Sequence, residues 1–347
     1  MKVTLNDIGL RVGVSPSTVQ RALNGLEGVG SKKRDLIRRV AEEMGYRRNL
    51  TASALKTGAR TIGIVLPEPI QNNRFYAKFL WEGALRCSGE YREFNLDVAE
   101  FTYVRTPGNH VEKLREVLDA HGDRLDGILT MGTRHPGAGE IFAEMKARNI
   151  PVVFVGTDAE PEDRLCCVRT YDEMTGRMAA DLLINFTSPK KRSKVVMTGD
   201  FAIPDQFYNA QGFERHIYEN NAPLEILKLA NDPDLDAVRK SIRDILESDP
   251  NICAVYATSS RNTVPMCRAA LESGRKPRLI GSDIFPESIE FLRQNVLNAL
   301  IHKRPSDQAY QAMQTLVNAV VKGEAATRDT IQIDSVIVMK SNVECFL

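Results

Sequence analysis

The 347 residues are 43% hydrophobic and 26% charged, a composition that excludes a disordered or fibrous chain and leaves room for two or three globular domains. The formal net charge is only +1, yet residues 1–60 hold 12 Lys/Arg against 5 Asp/Glu and the other 287 hold 34 against 40. A compact basic segment on a slightly acidic body points to a polyanionic partner, with a solvated basic face as the bland alternative.

No run of 18 or more apolar residues occurs, and the N-terminus has no apolar leader core, so the expectation is a cytoplasmic protein with no membrane partner. The six cysteines (Cys87, Cys166, Cys167, Cys253, Cys267 and Cys345) form no CxxC or Cys/His cluster and read as reduced thiols. If Cys166 and Cys167 lie in a strand, their side chains point to opposite faces.

Along the chain, Thr4 stands three residues before Asp7, a capping-box start, and Leu5, Ile8 and Val12 follow at helical spacing. Gly13 can supply a turn, and Val14 can fill the space between two helices. Ser15 is a good N-cap with Pro16 at the first helical position, and Asn24-Gly25 is a stop signal. Two short helices about a tight turn make a helix-turn-helix, whose second member offers Ser17, Thr18, Gln20 and Arg21 to phosphates and base edges. A third helix from Ser31 is expected to bury Leu36, Ile37, Val40 and Met44 and to end at Gly45. Between Asn49 and Gly58 a helix too short to be stable alone is expected.

From Thr61 onward β-branched runs alternate with amphipathic segments. Strands are expected over 61–66, 96–103, 125–131, 151–157, 194–198, 225–230, 252–258 and 277–281. Helices are expected near 76–87, 111–121, 141–148, 207–218, 235–247 and 264–273. Such alternation argues parallel sheets with helices on both faces, and the length argues two similar lobes. The fold class is therefore a small all-α headpiece followed by an α/β core of two lobes. The expected division is a headpiece over 1–48, a hinge over 49–60, an N-lobe of 61–168 with 286–325, and a C-lobe of 169–285 with 326–347.

Residues 3–58 resemble the headpiece and hinge of the lactose-repressor family of bacterial regulators. The matching stretches are 3–8, 13–19, 21–25 and 41–46. The resemblance implies that helix 16–24 enters the major groove, with Pro16, Ser17 and Arg21 at base-contacting positions, and that the hinge helix inserts Leu55 into the minor groove. The DNA-binding set is therefore Thr4, Ser15, Pro16, Ser17, Thr18, Gln20, Arg21, Asn24, Asn49 and Leu55. Gln20 and Ser53 depart from the usual Ser and Arg or Gln, which bears on the operator's sequence.

The remainder resembles, with shorter motifs, the family's effector core, which is similar to periplasmic sugar-binding proteins. Open α/β sheets bind ligands at the carboxyl ends of their strands. Asn73-Arg74-Phe75-Tyr76 matches the first ligand loop, usually Asn-Pro-Phe followed by Phe or Tyr; ordinary core is the alternative for its aromatic pair. Asp283 matches the family's acidic ligand residue, with helix capping as the alternative. Asp158 lies just after the strand ending at Thr157, with a plain loop acid as the alternative. His302 and Lys303 follow a strand and fall near a family contact position where Gln is commoner, with an ordinary loop role as the alternative. Asn209 stands where the family's effector-gripping Arg is usual, and its loss favours a neutral sugar or polyol; Asp205 and Arg261 lie on neighbouring loops.

The five histidines (His110, His121, His135, His216 and His302) show no metal spacing, and no phosphate loop, dinucleotide fingerprint or Gly-x-Ser-x-Gly elbow is present. No catalytic residue, metal or cofactor is expected. The expected partners are a double-stranded DNA operator, a small sugar-like effector and a second copy of the chain, with a tetramer as the larger alternative. A solute-binding protein or an α/β enzyme are the competing classes.

Overall fold

The computed structural model describes residues 3–23, 28–46, 59–106, 108–187 and 193–347. The chain forms two compact units, residues 1–57 and 58–347.

In the smaller unit, α1 (Leu5–Val12), α2 (Pro16–Leu23) and α3 (Ser31–Glu43) surround Ile8, Val19, Ala22, Ile37, Val40 and Ala41. The start of α1 is fixed by a reciprocal cap: Asp7 N–H donates to Thr4 Oγ1, and the Asp7 carboxylate accepts from Thr4 N–H at 2.8 Å. Gly13 then adopts φ 71°, a left-handed turn that only glycine enters without a Cβ penalty. Val14 donates back to Gly9 O at 2.9 Å, and an added Cβ on Gly9 would come within 2.6 Å of Val14 O. The helix-turn-helix crossing is therefore glycine-dependent. Leu36, expected inside, is 38% exposed; the core is closed instead by Ile37 and Val40, with Met44 half-buried.

The larger unit holds two six-stranded sheets. In chain order its elements are β1 (Arg60–Pro67), α4 (Ala77–Glu90), β2 (Leu96–Tyr103), α5 (Asn109–His121), β3 (Gly127–Thr130), α6 (Ala138–Ala147), β4 (Val152–Val155) and β5 (Cys166–Thr170). Next come α7 (Asp172–Thr187), β6 (Ser193–Gly199), α8 (Pro204–Glu219), β7 (Leu224–Ala230), α9 (Leu235–Ser248), β8 (Ile252–Ala257), α10 (Ser260–Glu272) and β9 (Arg278–Ser282). The last are α11 (Pro286–Arg293), β10 (Ala299–His302), α12 (Pro305–Val317), β11 (Thr330–Ile333) and β12 (Val336–Val338).

The first sheet runs β11-β5-β4-β3-β1-β2 with every pair parallel. The second runs β12-β10-β9-β8-β6-β7, parallel except for the edge strand β12, which pairs antiparallel with β10. Strands β3 and β4 are buried throughout, as expected where helices cover both faces. Cys166 and Cys167 lie in β5 and enter different cores, on opposite sides of the first sheet.

Long-range pairing places some segments differently from the expected division. Residues 286–302 belong to the second lobe: Leu292 and Leu297 pack in its core, and β10 pairs with β9. Residues 330–333 return to the first lobe, where Thr330 pairs with Cys167. The chain thus passes between lobes after β5, after β10 and after β11. The strands 166–170, 330–333 and 336–338 were not among those expected; each has only three to five residues and lacks a period long enough to read.

Within lobes, helices meet closely where glycine allows it. An added Cβ on Gly176 of α7 would overlap Asn209 O, and one on Gly212 of α8 would overlap Glu173 O. Each helix offers the other a notch at the same crossing.

Candidate functional site

In the smaller unit, α2 turns Val19 and Ala22 inward and leaves Pro16, Ser17, Gln20 and Arg21 exposed. These positions fall at i, i+1, i+4 and i+5, a single helical face. Ser15 holds the N-terminus: its Oγ accepts from Thr18 N–H at 3.2 Å and lies 2.8 Å from Ser17 Oγ and 2.9 Å from Thr18 Oγ1. Thr4 is committed to the α1 cap and is exposed beside it. Lys32, Lys33, Arg38 and Arg39 of α3 are exposed as well. The arrangement supplies hydroxyl, amide and guanidinium donors from a rigid helix end, the chemistry that phosphate and base-edge contacts require. Asn24, Asn49 and Leu55, and the expected short helix between Asn49 and Gly58, lie outside the described residues.

In the larger unit, a cavity of about 450 Å³ opens between the two lobes. Six of the expected effector residues are in its wall: Asn73, Phe75 and Tyr76 from the first lobe, Asp205 and Arg261 from the second, and Lys303 at a crossing. Asn73 and Phe75 sit on a single 3₁₀ turn over Gln71–Phe75. Phe75 is also core-like, with its ring 4.8 Å from that of Phe285. The Tyr76 hydroxyl is pushed well above its usual range, first by burial and then by the carboxylates of Asp283, Asp205 and Asp172.

The other three stand elsewhere. Asp158 is turned into the first lobe, where Arg164 grips it at 2.6 and 2.9 Å. Asn209 is buried beneath the second lobe's wall, its Oδ1 accepting from Tyr256 Oη at 2.7 Å. Asp283 is fully buried behind Ser260 and Lys303. All three have protein partners that a motif position does not reveal.

Sequence reasoning missed other wall residues, among them Arg105, Asp200, Asn231 and Ser260. Each lies within three residues of the carboxyl end of a strand (β2, β6, β7 and β8), and the carboxyl-end rule applied to every strand would have found them.

The wall carries both charges. Arg261 Nη1 donates to Asn231 Oδ1, and its Nη2 donates to the carbonyls of Asp232 and Pro233 at 2.5 Å, so neutral oxygens hold its guanidinium. Burial lowers its pKa, and Arg105 adds to that, while Asp200 opposes. Of Asp205, in the same wall, Oδ1 is buried with no hydrogen-bond partner among the described residues. Behind it, burial and then the charge of Asp205 push the Asp172 carboxyl up to about 6. A cavity with fixed donors, a bare carboxylate oxygen and aromatic side chains suits a polar, hydroxyl-bearing small molecule. Among the described residues no cluster of metal-ligating side chains occurs, and no helix is long and apolar enough to cross a membrane.

Residues 4–49 match the family model for bacterial regulatory proteins of the lacI family, and residues 73–325 match that for a periplasmic binding protein domain. The HTH-type transcriptional regulator AscG of Escherichia coli (strain K12) is 30% identical over 275 residues, 78% of each chain. The HTH-type transcriptional regulator RegA of Clostridium saccharobutylicum is 30% identical over 135 residues, so the match spans 38% of each chain. The structure of GanP, a glucose-galactose binding protein from Geobacillus stearothermophilus, superposes with a TM-score of 0.71 at 21% identity, covering 83% of this chain and 99% of that one. That likeness speaks to the fold of the larger unit. By its two domain matches and its relatives, the chain belongs to the lacI family of bacterial regulatory proteins.

Proposed function

We propose that this protein is a ligand-responsive transcriptional regulator that acts in the cytoplasm as a repressor. It binds a palindromic operator as a homodimer and senses a sugar or polyol between its lobes. The observation that carries the reading is the pairing, in one chain, of an exposed polar α2 face with a two-lobed core around a polar cavity of about 450 Å³. The description of GanP as a sugar-binding protein of the same core fold supports the effector class.

In this mechanism α2 reads the major groove in each half-site, and the twofold axis of the dimer matches that of the palindrome. Leu55 acts as an apolar wedge in the minor groove. Effector bound between the lobes changes their relative disposition through the three chain crossings. A coupling of about 1–3 kcal/mol then changes operator affinity about 5- to 150-fold.

The test is operator selection from random DNA with purified protein at fixed, near-physiological salt, repeated with candidate sugars and polyols. Enrichment of a palindrome whose recovery changes with one class of sugar is the expected result. Sequence-independent binding under every condition refutes it.

A further inference from the structure

The cavity floor has a hydrogen-bonding polarity that one buried group sets. Asp283 is fully buried and sits in the left-handed region at φ 60°, an uncommon place for a residue with a side chain. Both of its carboxylate oxygens are engaged. Oδ1 accepts from Lys303 N–H at 2.8 Å and lies 3.3 Å from His302 Nδ1. Oδ2 accepts from Ser260 Oγ at 2.6 Å and lies 3.5 Å from Lys303 Nζ.

Burial alone would raise this carboxyl's pKa, but Lys303, His302 and Ser260 more than offset that and hold it at about 2. An ionised carboxylate only accepts. Ser260 must therefore send its one O–H inward to Asp283, which leaves its oxygen as an acceptor. Lys303 has no acceptor atom, and one Asp283 oxygen can take only part of its three donors.

Ser260 and Lys303 both line the cavity, and Asp283 does not. They also share the same carboxylate oxygen, so their polar atoms are close neighbours. Tyr76, from the first lobe, lines the same cavity, with Lys303 Nζ 5.5 Å from its ring centroid.

The geometry points to Ser260 and Lys303 as the residues that read the effector at the cavity floor, with Asp283 as their positioning residue; the effector presents adjacent oxygens there, one a hydroxyl that donates to Ser260 and one that accepts from Lys303. This rests on the proposed sugar or polyol reading and deepens it. A vicinal diol meets both demands, because one hydroxyl donates while its neighbour accepts. A direct Asp283 contact would accept from both hydroxyls instead.

The test is calorimetric binding of the full-length protein to D-glucose, D-galactose and myo-inositol and to their monodeoxy analogues, with wild type, Ser260→Ala and Asp283→Asn. In wild type, removing one particular hydroxyl costs at least about tenfold in affinity. In Ser260→Ala the same removal costs less than about twofold, because its acceptor has gone. A penalty that persists in Ser260→Ala and vanishes in Asp283→Asn overturns the inference, since the contact then belongs to Asp283.

If no member of the panel binds, the sugar reading and the diol assignment fail together, and the positioning role of Asp283 is tested without ligand. The Lys303 ammonium, held on Asp283, then gives a slowly exchanging ¹⁵N–H signal in wild type that is lost in a folded Asp283→Asn variant. A signal unchanged in Asp283→Asn overturns the positioning role.

Discussion

Arg74 of the first lobe meets Glu287 of the second, Nη2 to Oε1 at 2.5 Å, with its guanidinium carbon 4.1 Å from the centroid of the adjoining Phe75 ring. Arg74 occupies the position where the family's first ligand loop usually carries Pro. Beside it, Phe75, Val264 and Phe285 form an apolar cluster that joins the lobes. Charge and apolar contact therefore hold the same edge of the cleft closed.

Replacing Arg74 with Ala removes the charged part of that closure. The two side chains are 45% and 31% exposed, so solvent screens the pair and its net worth is about 1 kcal/mol at most. Effector affinity is expected to fall about two- to fivefold at low salt. The loss shrinks in 1 M salt, where the screening length is about 3 Å. Calorimetry at the two salt concentrations checks this; equal affinities for wild type and variant at low salt refute it.

Asp158→Ala separates stability from binding. Arg164 and Asp158 are 4% and 16% exposed, and Arg164 also reaches Asp329 O and, at 3.3 Å, Thr330 Oγ1 of β11. Removing the carboxylate leaves a buried guanidinium without its charge partner, which costs about 3–5 kcal/mol. Urea unfolding of the core should record that loss while effector affinity stays at the wild-type value. A large loss of affinity with little loss of stability would return Asp158 to the cavity wall.

Ile8→Ala should disable one unit and spare the other. Ile8 is fully buried in a headpiece core that holds seven buried apolar residues among the described ones. Truncation of a buried Ile costs about 2–5 kcal/mol, a large share of what so small a core supplies. Operator binding is expected to be lost, with effector binding and the core's melting transition unchanged. Retention of both operator affinity and helicity at 37 °C would contradict the packing described.

Acidification should weaken the first lobe through His110. Its Nε2 lies 2.9 Å from Thr130 Oγ1, and its ring stacks on Tyr103 at 4.2 Å. Burial first, and then the charge of Arg105, lower its pKa from 6.5 to about 4. The folded-state value is depressed, so the unfolded chain takes up the proton first. The stabilisation is complete above about pH 6.5 and lost as pH falls towards 4, up to about 3 kcal/mol. Asp172 acts oppositely. Its value is raised to about 6, so its contribution is present below about pH 3.8 and lost as pH rises through 6. Urea midpoints between pH 4.5 and 7 for wild type and His110→Gln separate the two. A slope unchanged in His110→Gln refutes the assignment.

The sequence by itself determined what depends on neighbours three or four residues apart. The Thr4–Asp7 cap, the Gly13 turn, the Ser15-Pro16 helix start and the helical spacing that turns Ile8 and Ile37 inward are all short-range, and the structure has each of them. Strand–helix alternation likewise dictated parallel sheets, because runs such as Val152–Val155 are apolar on both faces. Only the tertiary structure decided which motif residues reach the cavity. Asn209 is claimed by Tyr256, 47 residues away, and Asp283 by Ser260, 23 residues away. Lobe membership was decided in the same way, since β11 joins the first sheet by pairing Thr330 with Cys167. A side chain's destination follows from which distant polar groups burial forces it to satisfy, and local spacing carries no record of those partners.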